Sequence, residues 1–198
     1  MTTSEPTANA DAIDRGDVVD REKDAFGGVK LGCAFFGWLT ATGMTVLLAA
    51  LIAAVGAGVG IVSSASEVAD VAGASVEEIT WAGVALVLGI VLVSYYTGGY
   101  VAGRMARFDG IRQGIAVFGW AVVISIVVAV LGAVAGAKYN VLDEINSFPR
   151  IPDSLSGLPL PAIIALGGVI VVALVGSALG GLAGMHFHRK VDLVGLGR

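Results

Sequence analysis

Few residues in this chain have types suited to chemistry, and their spacing argues against most reactions. His186 and His188 flank Phe187 near the C-terminus. Two histidines at i and i+2 do not share a helical face and make a poor chelate. No Cys, Asp or Glu cluster joins them in the short C-terminal segment, so no metal site is expected. Their expected place is the membrane interface, where positive charge also suits a helix C-terminus. Cys33 is the only cysteine, so no intramolecular disulfide forms. It reads as an ordinary apolar thiol. Tyr96, Tyr100 and Arg104 are spaced by four and share a face. That face fits an interfacial anchor with a snorkelling arginine. Tyr100 could stack under the Arg104 guanidinium, and the competing reading is a polar cavity or lipid-headgroup site at the inner leaflet. No nucleophile–base pair, metalloprotease motif or phosphate loop occurs. The sequence therefore predicts no enzyme, no catalytic residue and no cofactor.

The remaining polar side chains sit in long uncharged stretches. Leu31–Ser66, Ile79–Gly103, Gln113–Ala137 and Ser154–His188 contain no Asp, Glu, Lys or Arg. Ionisable residues inside a membrane usually mark proton relays or ion paths, and these stretches have none. They hold hydroxyls instead, at Thr40, Thr42, Thr45, Ser94, Thr97, Ser125 and Ser177. A hydroxyl can bond back to the preceding helical turn and needs no other partner.

Glycine is the most informative residue type. Gly176, Gly180 and Gly184 fall on one face at spacing four, and Gly56/Gly60, Gly99/Gly103 and Gly132/Gly136 repeat that spacing. Membrane helices have no hydrophobic drive between them, so close backbone approach at small residues must hold them together. These nine glycines are the expected helix-packing positions. Whether they pack within one chain or between chains is not legible from spacing.

The elements that must position these residues follow from length and composition. The chain has 198 residues, 56% hydrophobic and 14% charged. Its mean hydropathy is +0.86. Each uncharged stretch exceeds the roughly 20 residues that cross a bilayer core. A soluble globular protein is excluded. The expected fold is an all-α integral membrane protein with four transmembrane helices at about 33–60, 79–103, 115–137 and 162–184. Residues 1–24 hold seven acids and three bases with no aromatic residue, which predicts a disordered acidic tail with a nascent helix near Val18–Asp24. The membrane domain then covers 25–192, with 193–198 as a C-terminal tail. Arg104–Gly114 is the expected middle loop, with a turn at Asp109-Gly110.

Ten of the twelve Lys and Arg residues lie in the two tails and the middle loop, against Lys138 and Arg150 in the other two loops. This places both termini in the cytoplasm. Trp38 and Trp120 then fall near the inner interface and Trp81 near the outer one. With Arg104, Arg107, His186 and His188 they form the expected set of interfacial anchors. The chain also repeats weakly. GCAFFGW at Gly32–Trp38 matches GIAVFGW at Gly114–Trp120 with a shift of 82, and Gly99-x-x-Ala102-Gly103 matches Gly180-x-x-Ala183-Gly184 with a shift of 81. Two tandem hairpins of the same orientation are expected, related by a pseudo-twofold axis along the membrane normal.

GGYVAGRMARFDG (Gly98–Gly110) and GGLAGMHFHRKVD (Gly180–Asp192) resemble small four-span bacterial membrane proteins of the YrzE-like group and its actinobacterial relatives. The resemblance covers 25–192 and implies a bacterial inner-membrane location. It brings no catalytic residue. The expected function is a non-enzymatic structural or accessory membrane protein, with the lipid bilayer as partner and a homo-oligomer or other membrane proteins as further candidates. The alternative is a small channel or passive transporter whose path, between the hairpins, is lined by Ser, Thr and Tyr. Net charge of −4 gives no reason to expect nucleic-acid binding.

Overall fold

The computed structural model describes residues 15–58, 81–139, 160–186, 188, 190 and 191. Five helices make up this part of the chain: α1 (Arg15–Phe26), α2 (Leu31–Gly58), α3 (Trp81–Ala106), α4 (Gly110–Tyr139) and α5 (Leu160–Gly184). No strand occurs among the described residues. The four long helices are apolar enough to cross a membrane, and the molecule is an all-α, multi-pass membrane protein. At 1.5 Å per residue, 25 to 30 residues span roughly 37–45 Å. Helices of that length project beyond a hydrocarbon core of about 30 Å or tilt within it.

α3 is the centre of the bundle. It packs most extensively on α5, then on α2, and touches α4 as well. α4 also contacts α5 and α2, so α3 and α4 form the inner diagonal with α2 and α5 on the flanks. The contacts concentrate at one end, where α2 and α4 begin and α3 and α5 finish. We call it the Asp109 end. Ala34, Ala102 and Val117 form a buried cluster there, walled by Trp38, Tyr95 and Trp120. Phe35 packs edge-on against Trp120. Away from that end the packing thins. In α4, every residue from 125 to 134 except Gly132 is exposed.

Two sequence expectations are corrected at this end. In the tail 1–24 the helix expected near Val18–Asp24 is longer, starting at Arg15 and running on to Phe26. Asp17 in its first turn and Lys23 in its last complement the helix dipole. Glu22 ties it to Arg107 at 2.8 Å. Composition alone hid these contacts. Residues 1–14 and 193–198 lie outside the described residues. The expected middle loop Arg104–Gly114 shrinks to Arg107–Asp109, because α3 reaches Ala106 and α4 starts at Gly110. Arg107 (φ 67°) and Asp109 (φ 54°) both adopt left-handed backbone, which reverses the chain within three residues. The Gln113 amide donates to the Asp109 carbonyl at 2.9 Å and closes the first turn of α4. The third span thus begins five residues earlier than charge pattern implied.

Candidate functional site at the Asp109 end

Glycines draw the helices together at this end until backbone meets backbone. A methyl group added at Gly99 would strike the Ser177 carbonyl, and one at Gly103 the Gly181 carbonyl. In the other direction, a methyl at Gly180 would strike the Tyr96 carbonyl and one at Gly184 the Tyr100 carbonyl. These contacts are reciprocal. Adding 81 to Gly99 and Gly103 gives Gly180 and Gly184, while subtracting 81 from Ser177 and Gly181 gives Tyr96 and Tyr100. The two parallel helices therefore present the same positions to each other. Gly176 continues the face, 3.1 Å from the Leu92 carbonyl when given a Cβ, and Gly168 meets Leu88 at the same distance.

The other two helices, α2 and α4, dock on this pair differently. In α2, a Cβ at Gly37 would lie 2.6 Å from the Gly98 carbonyl. In α4, Gly114 sits on Ser177, and Gly110 sits on Gly181 and Met185. Gly119 follows Gly37 by 82 positions, yet nothing lies within 4 Å of its Cβ position. Gly132 is equally open, so the packing expected of it is not met among the described residues. Gly60 lies outside the described residues. Gly56 and Gly136 are helical, and nothing of their surroundings is described. Sequence reasoning missed Gly37, Gly98, Gly110, Gly114 and Gly181. The signal for two of them was present: Gly110-x-x-x-Gly114 has the same spacing but lies inside the expected middle loop Arg104–Gly114.

The hydroxyls do not face a common path. Thr40, Thr42 and Thr45 donate to the carbonyls of Phe36, Trp38 and Ala41 at 2.9–3.0 Å. Thr97 donates to Ser94 O and Ser177 to Leu174 O. Ser94 is fully buried, and its Oγ has no partner among the described residues. Ser125 is exposed.

A polar latch joins the two hairpins across this end. The Asp109 carboxylate accepts the Gly28 amide at 2.8 Å. The fully buried Gln113 donates through Nε2 to the Gly28 carbonyl at 3.2 Å. Gly28 holds a φ of 92°, in the left-handed region that L side chains rarely adopt. Lys30 reaches the Ala106 carbonyl at 3.4 Å and Trp120 Nε1 the Leu31 carbonyl at 3.0 Å. Of the expected anchors, Trp38 and Trp120 gather at this end around Phe35. Trp81 stands 59% exposed at the opposite end, where α3 begins. His188 Nε2 lies 2.8 Å from the Arg104 carbonyl, and His186 is exposed. The Arg107 guanidinium lies 5.4 Å from the Phe108 ring centroid. No group of three or more His, Cys, Asp or Glu is placed to hold a metal among the described residues.

A cleft of about 600 Å³ opens between α1, the Arg107–Asp109 turn and the end of α5. Its lining includes the cations Lys23, Arg107 and Arg112, the carboxylates Asp20 and Asp109, and the apolar Phe108, Leu182 and Met185. Comparison with family models, curated proteins and solved structures found no match to this chain.

Proposed function

We propose that this is a non-enzymatic membrane protein of structural or accessory type, with its helices locked together at one end by intrachain glycine contacts. The observation that carries the reading is the backbone-to-backbone closure of α2, α3, α4 and α5 at the Asp109 end, with Thr42, Thr97 and Ser177 bonded back to their own helices. A pathway for ions or solutes needs polar groups turned towards a continuous opening. These groups are turned towards carbonyls of their own helix instead.

In this reading the protein sits in a bacterial inner membrane with both termini cytoplasmic. The ten-to-two distribution of Lys and Arg supports that orientation. The motifs shared with the YrzE-like group support the membrane. The two hairpins descend from one duplicated unit, a reading supported by the reciprocal α3–α5 contacts at an offset of 81. Association with further copies or other membrane proteins would use surfaces other than the α3–α5 glycines, which already meet within the chain. The exposed stretch 125–134 of α4 offers such a surface.

The test is flux. Proteoliposomes holding the full chain should pass potassium, chloride, protons and glycerol no faster than protein-free vesicles. Reproducible flux that scales with protein would replace this reading with that of a small channel.

A further inference from the structure

The cleft at the Asp109 end combines two kinds of lining that a soluble ligand would not both require. Its cations are Lys23 from α1, Arg107 from the turn and Arg112 from the first turn of α4. Its apolar lining includes Phe108, Leu182 and Met185. It lies where four membrane-length helices begin or end, the part of such helices that meets the headgroup region of a bilayer. Gly110, Ile111 and Arg112 also bring the N-terminus of a 30-residue helix to its wall, and that end carries a partial positive charge.

We propose that this cleft binds the phosphodiester headgroup of an anionic phospholipid. Lys23, Arg107 and Arg112 contact the phosphate oxygens, and Phe108, Leu182 and Met185 cover the glycerol and first acyl carbons. Guanidinium groups suit this ligand because their forked donors match two phosphate oxygens at once.

The acids nearby do not cancel these cations. Asp109 is 13% exposed and accepts the Gly28 amide, whereas the Arg112 side chain, 3.7 Å away, is 70% exposed. Arg107 is paired with Glu22, but both side chains are over a third exposed, and exposed pairs of this kind contribute little stability. A phosphate can therefore displace Glu22 from Arg107. Asp20 is the other carboxylate on the cleft and is exposed to solvent.

The experiment is thermal melting of the full-length chain in mild detergent, with phosphatidylglycerol, phosphatidylcholine or inorganic phosphate added. Phosphatidylglycerol at about ten times its Kd should raise Tm by roughly 3–6 °C over phosphatidylcholine. Inorganic phosphate at the same concentration should give less than half that shift. The double variant R107Q/R112Q should lose most of the shift. R21Q/K190Q, which removes the same charge from exposed positions off the cleft, should keep it. K23Q, a change on the exposed face of α1, should lose part of the shift and serves if the double variant does not fold. Equal shifts from both lipids would overturn the proposal. So would equal losses in cleft and control variants, or a full shift in both cleft variants. A full shift from inorganic phosphate alone would make the ligand a free anion and overturn the lipid assignment.

Discussion

Gly180→Leu should unlock the bundle. Gly180 approaches α3 so closely that even a methyl group would meet the Tyr96 carbonyl and, at 2.8 Å, the Tyr100 amide nitrogen. Backbone cannot rotate away as a side chain does, so both helices must part. Overpacking a well-packed interior costs about 1–3 kcal/mol. This substitution belongs at or above the top of that range, because it also breaks the contact at Gly176 and Gly184 on the same face. Gly99→Leu should cost a similar amount, since Gly99 meets Ser177 in the reciprocal contact. Gly119→Leu is the control: its Cβ position is open, and replacing glycine within a helix is neutral to favourable. The expected result in detergent is a large fall in Tm for Gly180→Leu and Gly99→Leu and no fall for Gly119→Leu. Three equal melting temperatures would mean that close backbone approach does not hold this bundle together.

Asp109→Val should open the latch between the hairpins. Two losses combine there. The Gly28 amide loses its acceptor, and an unsatisfied, partly buried donor costs about 1–3 kcal/mol. The residue at 109 must also keep a φ of 54°, which costs an ordinary L residue about 1–2 kcal/mol and a β-branched one more. The sum is about 2–5 kcal/mol. Asp109→Asn should recover most of it. Asparagine tolerates left-handed backbone, and its amide oxygen can accept from Gly28. The readout is Tm together with protease sensitivity of the α1–α2 joint. If Asn destabilises as much as Val, the carboxylate charge and its pair with Arg112 matter more than the hydrogen bond and the backbone.

Much of this architecture is written in residue types and spacing. Four uncharged stretches of sufficient length dictate four spans. The offset of 81 between Gly99-x-x-Ala102-Gly103 and its second copy is also the offset that relates the contacts of α3 to those of α5. What spacing does not carry is the identity of the opposing surface. Gly132 shares its spacing with Gly180, yet one faces open space and the other a carbonyl. A glycine pair defines a face, and only the neighbouring helix decides whether that face is used.

The docked α1 was hidden for a different reason. Its stability comes from few contacts distant in sequence, such as Glu22 with Arg107, while its composition is that of a solvated tail. The short turn was hidden by charge: Arg112 and Gln113 read as loop residues, although Gln113 is fully buried inside the latch. The cleft could not be anticipated, since it exists only once α1 lies against the Arg107–Asp109 turn.

The central claim is that the glycine faces of α3 and α5 meet within one chain. Paired cysteines test it most directly. A Cβ at Gly168 lies 3.8 Å from Leu88 Cγ, the position a cysteine sulfur takes at 88, so a small shift brings the two sulfurs to bonding distance. In a Cys33→Ala background, Leu88→Cys with Gly168→Cys should oxidise in membranes to a cross-linked monomer in high yield, and either single variant should stay reduced and monomeric. Cross-linked dimers from the double variant, with little internal disulfide, would place the α3–α5 contact between chains and contradict the account.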